Sequence, residues 1–134
     1  LARIEGAQNL DDVARIMASV PLATASIYEI AIAVDDKNSS NYSIDLSQGG
    51  LGLPDRDYYL STDPELVKAR DAYKAYLAQM MTLAGFDNAP ARAQAVFDLE
   101  TAIAKVQWDR ADSRDATKVY NPMTVSQLQA LAPE

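Results

Sequence analysis

Among its 134 residues the chain has no histidine and no cysteine. Without imidazole or thiolate, every catalytic triad or dyad that uses them is excluded, and so are cysteine-based zinc sites and His-Glu-x-x-His helices. The missing cysteines also rule out disulfides, but they do not report compartment. Long apolar runs are absent as well: the longest, Ile30 to Val34, is far too short to span a bilayer. Positive charge is the minority sign, with 12 Lys and Arg against 19 Asp and Glu, a net charge of -7. The basic residues are scattered and the pI is near 4.5, which argues against nucleic acid as a partner. No basic segment followed by an apolar one stands at the start, so no signal peptide is read. A chain that opens at Leu1 without Met and stops at Glu134 just after a helical pattern is expected to be an excised piece of a longer protein.

What is present reads as an ordinary folded chain. With 49% hydrophobic and 23% charged residues and a mean hydropathy of -0.17, it suits one domain over residues 1–134. A domain of this length is expected to bury roughly two thirds of its unfolded surface. Asn9 can cap a helix starting at Leu10, with Leu10, Val13, Ile16, Met17 and Val20 on one face and Pro21 ending it. Tyr28 to Val34 predicts a buried strand, the polar cluster Asp35 to Asn41 a turn, and Tyr42, Ile44 and Leu46 a half-exposed strand. Thr62 with Glu65 forms a capping-box pattern, with Thr62 or Asp63 as cap and Pro64 in the first turn of a long helix. Its apolar stripe holds Leu66, Tyr73, Leu77, Met80, Met81 and Ala84, and Gly85 ends it. A third helix near Asn88 to Val106 is expected to bury Ala93, Val96, Phe97, Leu99, Ile103 and Val106. The short link between these two helices predicts an antiparallel helical hairpin. After Trp108 a charged, helix-poor segment runs to Lys118, and Thr124 with Gln127 makes a capping box for a terminal helix. The fold class is therefore mainly α: an antiparallel helical hairpin with flanking helices and one short β-hairpin.

The residues offer little catalytic chemistry. Asp55 and Asp57 flank Arg56, and two carboxylates can serve as acid and base in a glycosidase. The plainer reading makes Arg56 a structural fork that holds a glycine-rich turn through nearby carboxylates or carbonyls. Asp35-Asp36-Lys37-Asn38-Ser39 has the oxygen density of a calcium loop but lacks its glycine and terminal glutamate, so it reads as a solvated turn. Asn38 and Asn41 each open a glycosylation acceptor triplet, a weak pattern that marks surface. Ser113 with Lys118 has no supporting flank as a serine–lysine pair. Of Tyr58 and Tyr59, one ring is expected in the core and the other at a wet edge, and Trp108 is expected to anchor a core or an interface.

One string stands apart: Gln48-Gly49-Gly50-Leu51-Gly52-Leu53-Pro54-Asp55-Arg56-Asp57-Tyr58-Tyr59, an ordered loop rich in glycine. It occurs in order with Asp35 to Ser39 before it, then Leu99-Glu100, then Arg114-Asp115 and Tyr120-Asn121-Pro122-Met123-Thr124. On these four motifs the chain, from Leu10 to Pro133, is similar to the neprilysin and endothelin-converting-enzyme family of zinc metallopeptidases. The resemblance implies a place in the helical, non-catalytic lobe that faces a thermolysin-like catalytic lobe across a size-limiting substrate cavity. It implies zinc in the parent enzyme, bound by a His-Glu-x-x-His helix and a later glutamate that have no counterpart here. The signature loop (Gln48, Gly50, Leu51, Gly52, Leu53, Pro54, Arg56, Asp57, Tyr58, Tyr59) and the second motif (Arg114, Asp115, Tyr120, Asn121) are then structural residues. Arg3 does not match the family's upstream substrate-contacting arginine. Vertebrate members carry a cysteine soon after the paired tyrosines, where this chain has Leu60-Ser61, which implies a bacterial member.

The leading expectation is a cavity-wall fragment of such an enzyme, with no catalytic residue, metal or cofactor of its own. Its partners would be the catalytic lobe of the same chain and peptide substrates, and its location the periplasm or extracellular space of a bacterium, with cytoplasm as the alternative. The rival readings are a stand-alone helical protein-interaction module and a small carboxylate-based hydrolase.

Overall fold

The computed structural model describes residues 2–19 and 26–132. Val20 and Pro21, expected to extend and end the first long helix, lie outside them. In chain order the elements are α1 (Ala2–Glu5), α2 (Leu10–Met17), β1 (Tyr28–Asp35), β2 (Asn38–Gln48), α3 (Asp57–Leu60), α4 (Pro64–Leu83), α5 (Ala89–Val106), a 3-10 turn (Asp112–Arg114), α6 (Ala116–Val119) and α7 (Val125–Leu131). The class is mainly α with one two-stranded antiparallel hairpin.

Local chemistry sets the helix ends. The Asn9 side chain accepts from the Asp12 N–H and starts α2, and Thr124 with Gln127 closes a full capping box on α7. At α4 the Thr62–Glu65 box does not form. Asp63 stands one residue nearer the helix, and its Oδ1 accepts from the N–H groups of Glu65 and Leu66. Helix α4 stops where Gly85 takes φ +78. The N–H groups of Gly85 and Phe86 then donate to the carbonyls of Thr82 and Met81, which satisfies two end carbonyls. Asn88 enters α5 in the left-handed region without a side-chain cap. The stretch before Lys118, read as helix-poor, holds the 3-10 turn and part of α6.

Helices α4 and α5 form the expected helical hairpin, with α3 lying against both. The core sits at this junction: Tyr59, Phe97 and Ala104 are buried, with Leu51, Leu53, Tyr73 and Leu77 packed on them. The Tyr59 and Phe97 rings stack at 5.5 Å between centroids. The inner stripe of α5 is Ala89, Ala93, Phe97 and Ala104. Leu99 and Val106, expected inside, are 62% and 82% exposed. The helix carries apolar residues on more than one face, so periodicity alone selected the larger side chains, whereas close packing against α3 and α4 uses the small ones.

The largest departure is the β-hairpin. β1 was expected to be buried, yet Ile30 and Ile32 are 69% and 77% exposed. The turn is also tighter than Asp35–Asn41, because β2 begins at Asn38. The Asp35 carboxylate accepts from the N–H groups of Lys37 and Asn38 and so forms the turn by itself. More generally, the accessible surface is 10316 Å² for 14.6 kDa, against roughly 6,900 Å² for a compact monomer of that mass. The core expected from chain length is thus not closed.

Candidate functional site

The signature loop Gln48–Leu60 crosses the junction of α4 and α5, and a chain of hydrogen bonds holds it there. The Tyr59 hydroxyl accepts from the Leu53 N–H at 3.0 Å and donates to Glu100 Oε2 at 2.9 Å. The Tyr73 hydroxyl donates to the other oxygen, Glu100 Oε1, at 3.0 Å. One carboxylate of α5 therefore ties a loop tyrosine to a tyrosine of α4. Burial first, then the Glu100 carboxylate, pushes Tyr59 up to about 12 and Tyr73 upward as well. Gly52 lies over this cluster, so close that a Cβ would overlap the Tyr73 hydroxyl and stand 2.7 Å from its ring carbon Cζ.

Arginines and glutamines fix the loop's two ends. Arg56 donates to the Gln107 carbonyl at 2.7 Å, a single bond rather than the expected two-pronged fork or an aspartate pair. The neighbouring Asp55 instead pairs with Arg110 and accepts from the Asp57 N–H. Gln107 returns a bond from its amide to the Gly49 carbonyl at 2.7 Å. Gln48 pairs reciprocally with the Trp108 backbone, donating to its carbonyl and accepting from its N–H. The two-pronged fork belongs to Arg70, whose Nε and Nη2 reach the carbonyls of Tyr58 and Ser61, each at 2.7 Å. Sequence reading missed Arg70, Gln107 and the Tyr73 hydroxyl. The signal available was only that Arg70 and Tyr73 are three apart and share a helix face.

The second motif is spread along the hairpin: Arg114 lies near Gln48 and Gly49, and Tyr120 reaches the far end. Tyr120 donates to Asp35 Oδ1 at 3.0 Å while the Lys37 ammonium sits 4.2 Å from its ring centre. The Lys37 and Asn38 N–H groups together with the Tyr120 hydroxyl hold the Asp35 carboxyl below its ordinary value, the Lys37 N–H most strongly. Asp115 accepts from the Thr117 hydroxyl and N–H, caps α6, and is lowered by those bonds. Asn121 donates to the Lys118 carbonyl at 2.6 Å. Arg114 is exposed, with its backbone in the 3-10 turn. Gln48 meets Trp108 at one end of the hairpin and Asp35 meets Tyr120 at the other, so the segment between those two contacts runs the hairpin's length. All four sequence motifs are brought into one hydrogen-bonded frame, in which Pro54 and Asp57 are exposed.

Ser113 Oγ donates to the Arg110 carbonyl and Lys118 pairs with Asp112, so the two do not form a nucleophile–base couple. Asp55 pairs with Arg110 and accepts from the Asp57 N–H, both contacts that shape the loop. Among the described residues no group of three or more His, Cys, Asp or Glu side chains could hold a metal ion, and the sequence has no imidazole or thiolate. No described helix is long and apolar enough to cross a membrane.

The model of peptidase family M13 matches residues 1–134. Endothelin-converting enzyme-like 1 of Rattus norvegicus is 35% identical over 113 residues, covering 83% of this chain and 15% of that protein. Endothelin-converting enzyme 1 of Cavia porcellus is 37% identical over 82% of this chain and 15% of its own length. The zinc metalloprotease Zmp1 of Mycobacterium tuberculosis superposes with a TM-score of 0.82 in its open state, at 29% identity over 96% of this chain and 20% of that one. Its inhibitor complex gives 0.84 at 28% identity, again over 96% and 20%. The chain thus spans about 15% of the length of the curated relatives it matches. It belongs to peptidase family M13, and the part of that family it represents is the N-terminal region.

Proposed function

We propose that residues 1–134 form part of the helical lobe of a zinc endopeptidase that cleaves peptides, where they wall the substrate cavity and catalyse nothing alone. The observation that carries this is the family match over all 134 residues in a chain without a single imidazole or thiolate. Zinc and its ligands then belong to the catalytic lobe of the same polypeptide, and no step of the reaction runs through side chains of this region. The signature loop and the Tyr120 contact act as braces that hold α4, α5 and the hairpin in fixed relation. The names of the relatives support peptides as substrates, and the absence of cysteine after Tyr59 supports a bacterial enzyme of the periplasm or extracellular space. The stand-alone module is less well supported, since a self-sufficient domain would cover more of its apolar surface.

Of the two tyrosines on α4, Tyr73 is taken up by Glu100 and Gly52, whereas Tyr76 is 54% exposed and stacks outside it. Tyr76 is therefore the wall candidate. In the full-length enzyme, Tyr76→Ala should change kcat/KM for long peptides by roughly 3–10-fold, or about 0.7–1.4 kcal/mol, and leave a very short peptide and the zinc content unaltered. A uniform loss at all lengths together with loss of zinc would mean that the region only supports folding.

A further inference from the structure

Alternation along the hairpin sorts its side chains into two unlike faces. The register places Ile30 opposite Leu46, Ile32 opposite Ile44 and Val34 opposite Tyr42, with Tyr28 continuing the row. All seven are on one face and all are between 46% and 78% exposed. The other face carries Glu29, Ala31, Ala33, Ser43, Asp45 and Ser47, and there Ala33 and Ser43 are partly covered. Seven large exposed side chains in one row make the kind of contiguous apolar patch that marks an interaction site. A lone two-stranded hairpin is also marginal in water without a layer packed on its apolar face.

We propose that this face is a docking site for one amphipathic helix of the same polypeptide lying outside residues 1–134; the inference rests on the reading of the chain as part of a longer peptidase. The dimensions select a helix. Two strands about 4.8 Å apart give a face about 10 Å wide, the diameter of one helix, and the paired stretch of roughly 20–25 Å matches about 15 helical residues. The amount of open surface selects the same chain over a second copy. The excess over a compact monomer is about 3,400 Å², while a standard interface covers about 800 Å² per partner and would leave most of it open. Exposed Leu10, Leu83, Leu99, Val125 and Leu131 lie on other elements, so the cover is extensive. The same fold forms only 20% of the chain of the mycobacterial relative.

The test is hydroxyl-radical footprinting of the unmodified full-length protein, read by mass spectrometry at Tyr42, Ile32 and Ile44, with peptidase activity and zinc content measured on the same sample. The expected result is at least tenfold slower oxidation of these residues than in the urea-unfolded protein, unchanged on hundredfold dilution. Oxidation at the unfolded rate would overturn the proposal, and protection that disappears on dilution would assign the face to a second copy. Either failure with zinc-dependent activity intact sinks the docking site alone, whereas absence of zinc and activity sinks the peptidase reading. A cysteine-labelling pair, Ile32→Cys on the face and Ser39→Cys beside the turn, should show the first slow and the second fast towards a maleimide; equal rates would again overturn the proposal.

Discussion

Gly52 has no room for a methyl group, because the Tyr73 ring and the Glu100 carboxylate occupy that space. Gly52→Ala is expected to destabilise the fold by about 1–3 kcal/mol through overpacking. Tyr73→Phe removes the overlapping oxygen but keeps the ring carbon, so the double variant should recover part of the loss in a mutant cycle. Strict additivity of the denaturant midpoints would show that the two residues do not meet. The same cluster predicts alkaline sensitivity. Tyr59 and Tyr73 both have folded pKa values raised above the ordinary 10.0, chiefly by burial. A raised value means that their stabilising effect is complete below pH 10 and fades as pH climbs towards about 12, where the folded Tyr59 ionises. Urea midpoints should therefore fall above pH 10, and less steeply in Tyr73→Phe. An identical slope would place the Tyr73 hydroxyl in water.

Helix α3 is only four residues long and has no side-chain cap at its start, so it cannot hold itself together. Arg70 supplies the missing constraint by reaching from α4 to carbonyls on either side of α3's end. Arg56 supplies one bond at the other end. Arg70→Ala should thus cost about 2–3 kcal/mol and Arg56→Ala about 1–2 kcal/mol, since each leaves carbonyls without their charged donor. Arg70→Lys should recover little, because an ammonium cannot reach two carbonyls in the geometry of a planar fork. The reverse order of effects by chemical denaturation would return the main structural role to Arg56.

Across the whole molecule, the helical hairpin and the β-hairpin touch through polar braces rather than through a shared apolar core. The buried set among the described residues is two aromatics and three alanines, too small for a chain of this length to close by itself. Residues 1–134 expressed alone should therefore unfold with a shallow urea dependence, about 1 kcal/mol/M or less, since the slope follows the surface newly exposed. A steep, cooperative transition would show that the region closes its own core.

What the sequence determined by itself was local or compositional. Helix starts at Asn9 and Thr124 follow from side chains bonding to their own neighbouring backbone, and the stop at Gly85 from a glycine's access to positive φ, so a few residues suffice to read them. The helical hairpin followed from a short link, and the exclusion of triads, dyads and His-Glu-x-x-His helices from the missing imidazole and thiolate. The four-motif signature was legible as a pattern, but not as contacts. Only tertiary structure decided that Glu100 joins Tyr59 to Tyr73, that Arg70 and not Arg56 is the fork, and that Asp55 turns to Arg110, because each depends on residues far apart in the chain. Burial was the least legible property. Ile32 and Leu99 have the hydrophobicity of core residues, but whether such a side chain is buried depends on which surface packs against it, and the periodicity of a segment does not encode that surface.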